Sequence, residues 1–136
     1  MARGSSLEVL GVSPAERPGD DLVGGRIRAL PNADQGSLTI QGWVLGRRSR
    51  ATAIELVNGT EVVGRVDVGL KRPDVAERFP ELADARTCGF RMTVKPEGKG
   101  ESQLLARAIL EDGTVTPIES VRVRVSRPGG LRRLLS

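Results

Sequence analysis

Apolar and polar side chains alternate with a period of two through most of this chain, and this alternation constrains the fold more than any other feature. A period of two places successive side chains on opposite faces of a β-strand. In one such run Leu38 and Ile40 share one parity, whereas Thr39 and Gln41 share the other. Further alternating runs lie at 54–56, 62–68, 90–95, 104–110 and 121–125. These runs predict half-buried antiparallel strands.

Turn dipeptides separate several of these runs. Asn58-Gly59 favours the positive φ angles of a two-residue type I′ hairpin turn, and alternation resumes at Thr60. Asp112-Gly113 follows another alternating run and is a second hairpin signal. The sequence therefore predicts hairpins at both dipeptides.

The segment between the two hairpins has a different pattern and predicts a short helical turn at 73–79. Pro73 suits a first helical position, and Asp74 interacts favourably with the positive end of the helix dipole. Pro80 limits continuation of the helix, because the residue before a proline is pushed away from α geometry. We expect the segment 81–86 to be a loop.

About seven short strands, turn signals at near-regular spacing and almost no helix predict an all-β fold, an antiparallel β-sandwich. A small barrel is the alternative. The length of 136 residues suits a single domain. We expect the sandwich at 22–126, a flexible lead with room for an edge strand at 1–21, and a basic tail or linker at 127–136. Trp43 is predicted to fill the space between the two sheets.

Positive charge is concentrated at the C-terminal end of the chain. The formal net charge is +4, but five arginines and no acidic residue follow Glu119, so the remainder is nearly neutral. A basic end is compatible with binding to nucleic acid or to another anionic surface. Only three residues are aromatic, however, which leaves few rings for stacking on single-stranded nucleic acid. The sequence therefore disfavours a nucleic-acid partner.

Several residue types needed for common catalytic sites are missing. The chain has no histidine, no tyrosine and one cysteine, Cys88. Without an imidazole base nearby, Cys88 is expected to be structural rather than nucleophilic. We therefore expect no enzymatic activity, no cofactor and no metal site.

Four short pairs of acidic or glycine residues resemble parts of binding sites, but their context favours solvated turn acids and turn or hinge glycines. The two acidic pairs lack the alternate-residue spacing of a calcium loop, and the two glycine pairs lack the strand and helix context of a phosphate loop. The pairs are Asp20-Asp21, Glu111-Asp112, Gly24-Gly25 and Gly129-Gly130.

No apolar run has the length of a signal peptide or of a membrane span. Together with the single cysteine, this pattern predicts a cytoplasmic location.

Five charged residues are candidates for a binding site. Arg47, Arg48 and Arg50 place three cations within four residues between two predicted strands, which suits an anion-binding loop or a solvated loop. Arg72 and Asp74 flank Pro73 and are expected to fix the helical turn by pairing with each other or with the backbone.

One set of short motifs, spanning about residues 36–113, resembles a known family in its order and spacing. The motifs are Gly42-Trp43, Asn58-Gly59 with Val63-Gly64, Arg72-Pro73-Asp74-Val75 followed by Phe79-Pro80, Gly89-Phe90, and Glu111-Asp112-Gly113. They resemble a small immunoglobulin-like accessory domain attached to bacterial glycosyltransferases and related surface-polysaccharide enzymes. The resemblance implies a non-catalytic module beside a transferase, with a protein or a glycan as partner. It transfers no functional residues.

Three functions remain as hypotheses. The leading one is a non-catalytic β-sandwich accessory module that makes protein contacts near a transferase. The second is a carbohydrate-binding module of the same fold, which the scarcity of aromatic residues disfavours. The third is binding of an anionic partner through the arginine-rich C-terminal end.

Overall fold

The computed structural model describes residues 6–15, 20–32, 35–96 and 99–126. These residues form eight strands, one short α-helix and one 3₁₀ turn. The strands are β1 (Ser6–Pro14), β2 (Leu22–Asn32), β3 (Ser37–Gly46), β4 (Ala51–Asn58), β5 (Glu61–Asp67), β6 (Gly89–Val94), β7 (Gly100–Leu110) and β8 (Val115–Ser126). Between β5 and β6 lie the helix α1 (Pro73–Arg78) and the 3₁₀ turn Ala83–Thr87.

The strands form two antiparallel sheets, which confirms the predicted sandwich. One sheet has five strands in the order β1-β8-β7-β4-β5, and the other has three in the order β2-β3-β6. The chain passes between the sheets from β1 to β2, from β3 to β4, from β5 to β6 and from β6 to β7. These crossings give Greek-key connections of the kind found in immunoglobulin-like sandwiches.

The main core lies between the sheets and is built from the inward positions of the alternating runs. Leu38 and Ile40 of β3, Phe90 of β6 and Val121 and Val123 of β8 are all buried there. Their neighbours of opposite parity, such as Arg91 and Arg122, are exposed. The inward and outward positions predicted from the period of two are therefore confirmed in these strands, because one face of each sheet packs on the core and the other faces solvent.

The sandwich extends into the predicted N-terminal lead. The strand β1 pairs antiparallel with β8, and Leu7 lies opposite Val125. Leu7 is buried in the main core, and Val9 packs against it. These two apolar side chains explain why the segment joins the five-stranded sheet as its edge.

The first predicted hairpin forms between β4 and β5, but its turn differs from the predicted type I′. Asn58 pairs with Glu61, so the two central residues are Gly59 and Thr60. Gly59 has φ +64°, and neither Asn58 nor Thr60 has a positive φ. A single positive φ, at a glycine in the first central position, is typical of a type II′ turn. The prediction of a type I′ turn with Asn58 and Gly59 as its central residues was therefore wrong, because the turn begins one residue later. The second hairpin forms between β7 and β8, with Gly113 at φ +92°.

Trp43 is buried as expected, but not between the sheets. It lies on the outer face of the three-stranded sheet, in a second small cluster with Leu45, Val75, Ala85 and Cys88. The parity of Trp43 is opposite to that of Leu38 and Ile40, so it cannot point into the main core of the same strand.

The segment between β5 and β6 covers this cluster and contains the predicted helical turn, which the structure confirms as α1. Pro73 occupies its start, and Asp74 lies in its first turn. The segment predicted as a loop at 81–86 instead contains the 3₁₀ turn Ala83–Thr87. Its Ala85 is buried against the cluster around Trp43, which gives this turn its packing.

The predicted basic tail at 127–136 lies outside the described residues, as do Gly129 and Gly130. Among the residues that the structure does describe, no helix has the length and apolar character needed to cross a membrane.

Candidate functional site

A row of three polar side chains crosses the outer face of the three-stranded sheet. Gln41 of β3 lies opposite Arg28 of β2 on one side and opposite Arg91 of β6 on the other. Since neighbouring strands are spaced by about 4.8 Å, the two arginine Cα atoms lie about 10 Å apart. We call these three residues the Arg–Gln–Arg row.

The adjacent row carries a third arginine and the tryptophan. Arg26 lies opposite Trp43, which in turn lies opposite Gly89. Beyond Gly89, Leu70 adds a short antiparallel bridge to the edge of the sheet. The two residues exchange backbone hydrogen bonds, each with an N···O distance of 2.9 Å. The bridge positions the cations that follow Leu70 beside β6.

Residues 70–72, here called the bridging segment, and the two rows surround an open groove of about 360 Å³, here called the basic groove. Its charged lining consists of arginines and one lysine, and no carboxylate among the described residues lines it. The lining includes the polar or exposed side chains of both rows and of the bridging segment, namely Arg26, Arg28, Gln41, Trp43, Leu70, Lys71, Arg72 and Arg91. Of these cations only Arg72 has an acidic partner among the described residues, and the others raise the local electrostatic potential and favour the approach of an anion.

Three arginines on the outer face of the five-stranded sheet form ion pairs, whereas Arg122 of β8 lies opposite Gln103 and forms none with the described residues. Arg124 lies between Glu8 and Glu101, with N···O distances of 3.4 and 2.9 Å. Arg65 and Arg107 both contact Glu55, at 3.0 and 2.8 Å.

In the described parts of the chain, no carboxylate forms such a pair with Arg26, Arg28, Lys71 or Arg91. Four of the five cations at the basic groove are therefore uncompensated, whereas most arginines on the other outer face are paired with glutamates.

Arg72 lines the basic groove but is held by Asp74. Its guanidinium donates two hydrogen bonds to the Asp74 carboxylate, at 2.9 and 2.7 Å. The hydrogen bond from Arg72 lowers the pKa of the Asp74 carboxyl to about 2. This pair fixes the start of α1 at the wall of the groove, as expected for a residue pair flanking Pro73.

The backbone at Gly89 allows this arrangement. A Cβ atom there would lie 2.8 Å from Cγ of Arg72 and 2.9 Å from the carbonyl oxygen of Leu70. The absence of a side chain therefore lets the bridging segment lie directly against β6.

Trp43 is closed off from solvent by a cluster that we call the Trp43 cap. The Trp43 ring packs against Phe79 with a centroid separation of 6.2 Å and is 9% exposed. Val75 of α1 and Ala85 of the 3₁₀ turn are buried in the same cluster. The cap leaves little of the indole available for stacking, so Trp43 bounds the basic groove without providing a platform.

The three predicted loop arginines do not line this groove. The Arg47 Nε and Nη2 atoms donate to the backbone oxygens of Asp20 and Leu22, at 2.9 and 3.2 Å. Arg50 lies 3.6 Å from Glu111.

Arg48 and Arg50 border an open depression that also contains three carboxylates, those of Asp84, Glu111 and Asp112. Nearby acids and backbone oxygens thus compensate the charge of this loop. The structure therefore separates the three loop arginines from the Arg72–Asp74 pair, and of the five predicted binding residues only Arg72 lines the basic groove.

Sequence reasoning did not select Arg26, Arg28, Gln41, Lys71 or Arg91 as site residues. Strand parity could have placed each strand residue on an outer face, because all have the parity opposite to the core. The missing information was the strand order β2-β3-β6, which brings residues distant in sequence into one row.

The lone cysteine is placed as a structural residue. Cys88 is 2% exposed, and its Sγ donates to the carbonyl oxygen of Ala85 at 3.3 Å. Burial raises the pKa of the Cys88 thiol, which disfavours the reactive thiolate. Within 6–15, 20–32, 35–96 and 99–126, no group of three or more cysteine, aspartate or glutamate side chains is placed to hold a metal ion.

Comparison of the chain with models of protein families, with curated proteins and with solved structures finds no match.

Proposed function

We propose that this chain is a non-catalytic β-sandwich interaction module that binds a negatively charged partner through the basic groove. We further propose that it works as an accessory module beside a bacterial glycosyltransferase or a related polysaccharide enzyme, in the cytoplasm. The first statement rests on the structure of the groove, and the second on the resemblance of the motifs.

The difference between the two outer faces carries the proposal. Opposite charges on neighbouring strands stabilise a sheet, as Arg124 does with Glu8 and Glu101. Arg26 and Arg28 of β2 and Arg91 of β6 lie on the two strands that flank β3, and they repel one another without acidic partners among the described residues. An anionic partner would relieve this repulsion and gain charge-assisted hydrogen bonds from the guanidinium groups.

Two of the motifs that carry the resemblance, Gly42-Trp43 and the run at 72–80, contribute to the Trp43 cap. Trp43, Val75 and Phe79 pack together, and the Arg72–Asp74 pair lies at the edge of the same cluster. These two motifs therefore position one end of the basic groove, whereas the motifs at 58–64 and 111–113 lie at the hairpins of the five-stranded sheet. The contact between the first two motifs supports a common architecture with the accessory domains that they resemble.

The proposed groove is tested by calorimetric titration with tripolyphosphate, a compact polyanion that has neither sugar hydroxyls nor bases. We expect binding by the full chain, and an affinity about tenfold lower for the variant Arg28→Glu/Arg91→Glu, because two charge-assisted contacts are lost. The matched control is Arg132→Glu/Arg133→Glu, which changes the net charge by the same amount. Equal thermal midpoints for the variants would establish that the fold is retained.

Two results would contradict the proposed groove. One is the absence of tripolyphosphate binding at low ionic strength, where electrostatic attraction is least screened. The other is loss of binding in the Arg132/Arg133 variant but not in the groove variant, which would assign anion binding to the arginine-rich end.

The accessory role has a separate test in the genomic neighbourhood. We expect a glycosyltransferase coding sequence joined or adjacent to the coding sequence of this chain. A neighbourhood of nucleic-acid-binding proteins would contradict that role without affecting the assignment of the groove.

A further inference from the structure

We infer that the ligand of the basic groove is an anionic saccharide, whose charge is carried by a carboxylate or a phosphate ester. This inference rests on the proposed function of the groove and specifies the class of ligand. It follows from the neutral groups that accompany the cations.

The Arg–Gln–Arg row alternates charged and neutral hydrogen-bonding groups. Each guanidinium is a planar donor that matches a carboxylate or phosphate in a bidentate manner. Between them, the Gln41 amide offers both donors and an acceptor, and this residue is only half-buried. A complementary ligand therefore carries anionic groups and neutral groups that both donate and accept hydrogen bonds. Sugar hydroxyls have this property.

The next row of the same face continues this polar character. Thr39 lies opposite Thr93, and their hydroxyl oxygens are 2.9 Å apart in an exposed hydrogen bond. A ligand that extends along the strands from the Arg–Gln–Arg row would meet this pair of hydroxyls. Such a surface suits a chain of hydroxylated rings.

The apolar part of the lining also suits a saccharide. Leu70 is 51% exposed and lines the groove, so it offers an aliphatic wall to the C–H face of a sugar ring. Trp43 is too enclosed by the Trp43 cap to stack on a nucleic-acid base, whereas single-stranded nucleic acids depend on such stacking. The groove therefore favours a hydroxylated anion over an oligonucleotide.

Intrinsic fluorescence provides the readout, because Trp43 is the only tryptophan of the chain and there is no tyrosine. The full chain is titrated with oligogalacturonate, with the same oligosaccharide after methyl esterification, and with an oligosaccharide that carries phosphate esters. A polyglutamate peptide and single-stranded and duplex DNA oligonucleotides serve as competing classes. At least one anionic saccharide should bind about tenfold more tightly than the peptide and the oligonucleotides, which lack complementary hydroxyls. Esterification should weaken the binding of oligogalacturonate if the carboxylate is the source of the charge.

The variant Gln41→Leu separates this inference from the proposed function. It leaves the cations in place, so tripolyphosphate binding should persist, while affinity for the anionic saccharide should fall about tenfold. The matched control Gln103→Leu makes the same substitution at an exposed position of the five-stranded sheet and should have no effect.

Three outcomes would overturn the inference while leaving the groove assigned to anions. They are binding of polyglutamate or DNA as tight as that of any anionic saccharide, equal binding of charged and neutral saccharides, and an unchanged saccharide affinity in Gln41→Leu. If the unmodified chain did not bind tripolyphosphate, the proposed function itself would be overturned.

Discussion

Arg91 and Arg124 both occupy exposed positions in strands, but their cross-strand neighbours differ. Arg124 lies between two glutamates, whereas Arg91 faces Gln41 and has no ion-pair partner among the described residues. Exposed ion pairs contribute little stability, but they neutralise the field around each charge. Arg122 also lies opposite a glutamine, Gln103, so Arg91 is distinguished by the further cations that surround it at the basic groove.

The pKa of Asp74 gives a residue-scale prediction. Its carboxyl should titrate with a midpoint of about 2 in the folded protein, because Arg72 donates two hydrogen bonds to the ionised form. A lowered pKa means that the pair stabilises the fold fully above the ordinary pKa of about 3.9 and loses this contribution as the pH falls towards 2. The measurement is an NMR pH titration of the side-chain carboxyl carbon. The midpoint should rise in the variant Arg72→Met, and a midpoint unaffected by this substitution would contradict the assigned cause.

At the scale of elements, local patterns predicted the strands and α1 because the responsible interactions are local. Alternation identifies which face of a strand is apolar, and Pro73 with Asp74 marks the start of a helix wherever it lies. The hairpin at Asn58 is confirmed, but the predicted turn type is wrong. A shift of one residue in the strand pairing makes Gly59 the first central residue of the turn instead of the second.

Elements that depend on distant contacts could not be placed from the sequence. The parity of Trp43 places its side chain on the face of β3 that is opposite to the face of Ile40. It does not indicate that α1 and the 3₁₀ turn cover this face. The basic groove likewise requires β2, β3 and β6 to be neighbours, although more than 40 residues separate Arg91 from Gln41 in the sequence. Of the five predicted binding residues, Arg72 alone lies at this groove, because its position follows from the local start of α1.

The contact of the bridging segment with β6 gives a prediction at the scale of elements. Gly89→Ala should destabilise the fold by about 1–3 kcal/mol, because its Cβ would press on the backbone of Leu70 as well as on the side chain of Arg72. Gly69→Ala is the matched control, since a Cβ there has no heavy atom within 4 Å. Denaturant unfolding of both variants measures the difference. Equal stability of the two variants would mean that the segment does not lie closely against β6.

A second prediction concerns the row Arg65–Glu55–Arg107 across β5, β4 and β7. Hydrogen bonds from Arg107 and Arg65 lower the pKa of Glu55, and its side chain is 13% exposed. Glu55→Gln should therefore lower the free energy of unfolding by about 1 kcal/mol at neutral pH. The difference from the unmodified protein should shrink as the pH falls through the pKa of Glu55, because protonation abolishes the same ion pairs.

Glu61→Gln serves as the control, because Glu61 is exposed in β5 and has no ion-pair partner within the described ranges. Urea unfolding at neutral and acidic pH provides the comparison. A difference between Glu55→Gln and the unmodified protein that stays constant across this pH range would contradict the assigned role of the charge.

At the scale of the whole molecule, one hydrophobic core supports two outer faces of different character. Most arginines of the five-stranded sheet are paired with glutamates across its strands, while the three-stranded sheet presents the Trp43 cap beside the basic groove. The sandwich thus holds five cations from β2, β6 and the bridging segment in one place without requiring a flexible loop. Such a rigid scaffold suits recognition of an extended anionic ligand, because little ordering entropy is lost on binding.

Mapping of backbone amide chemical shifts during titration with an anionic oligosaccharide tests this account most directly. The largest changes should fall at Arg28, Gln41 and Arg91 and at the bridging residues Leu70 and Lys71, and they should diminish as salt is added. Changes confined to the five-stranded sheet or to residues 127–136 would contradict the assignment of the binding face.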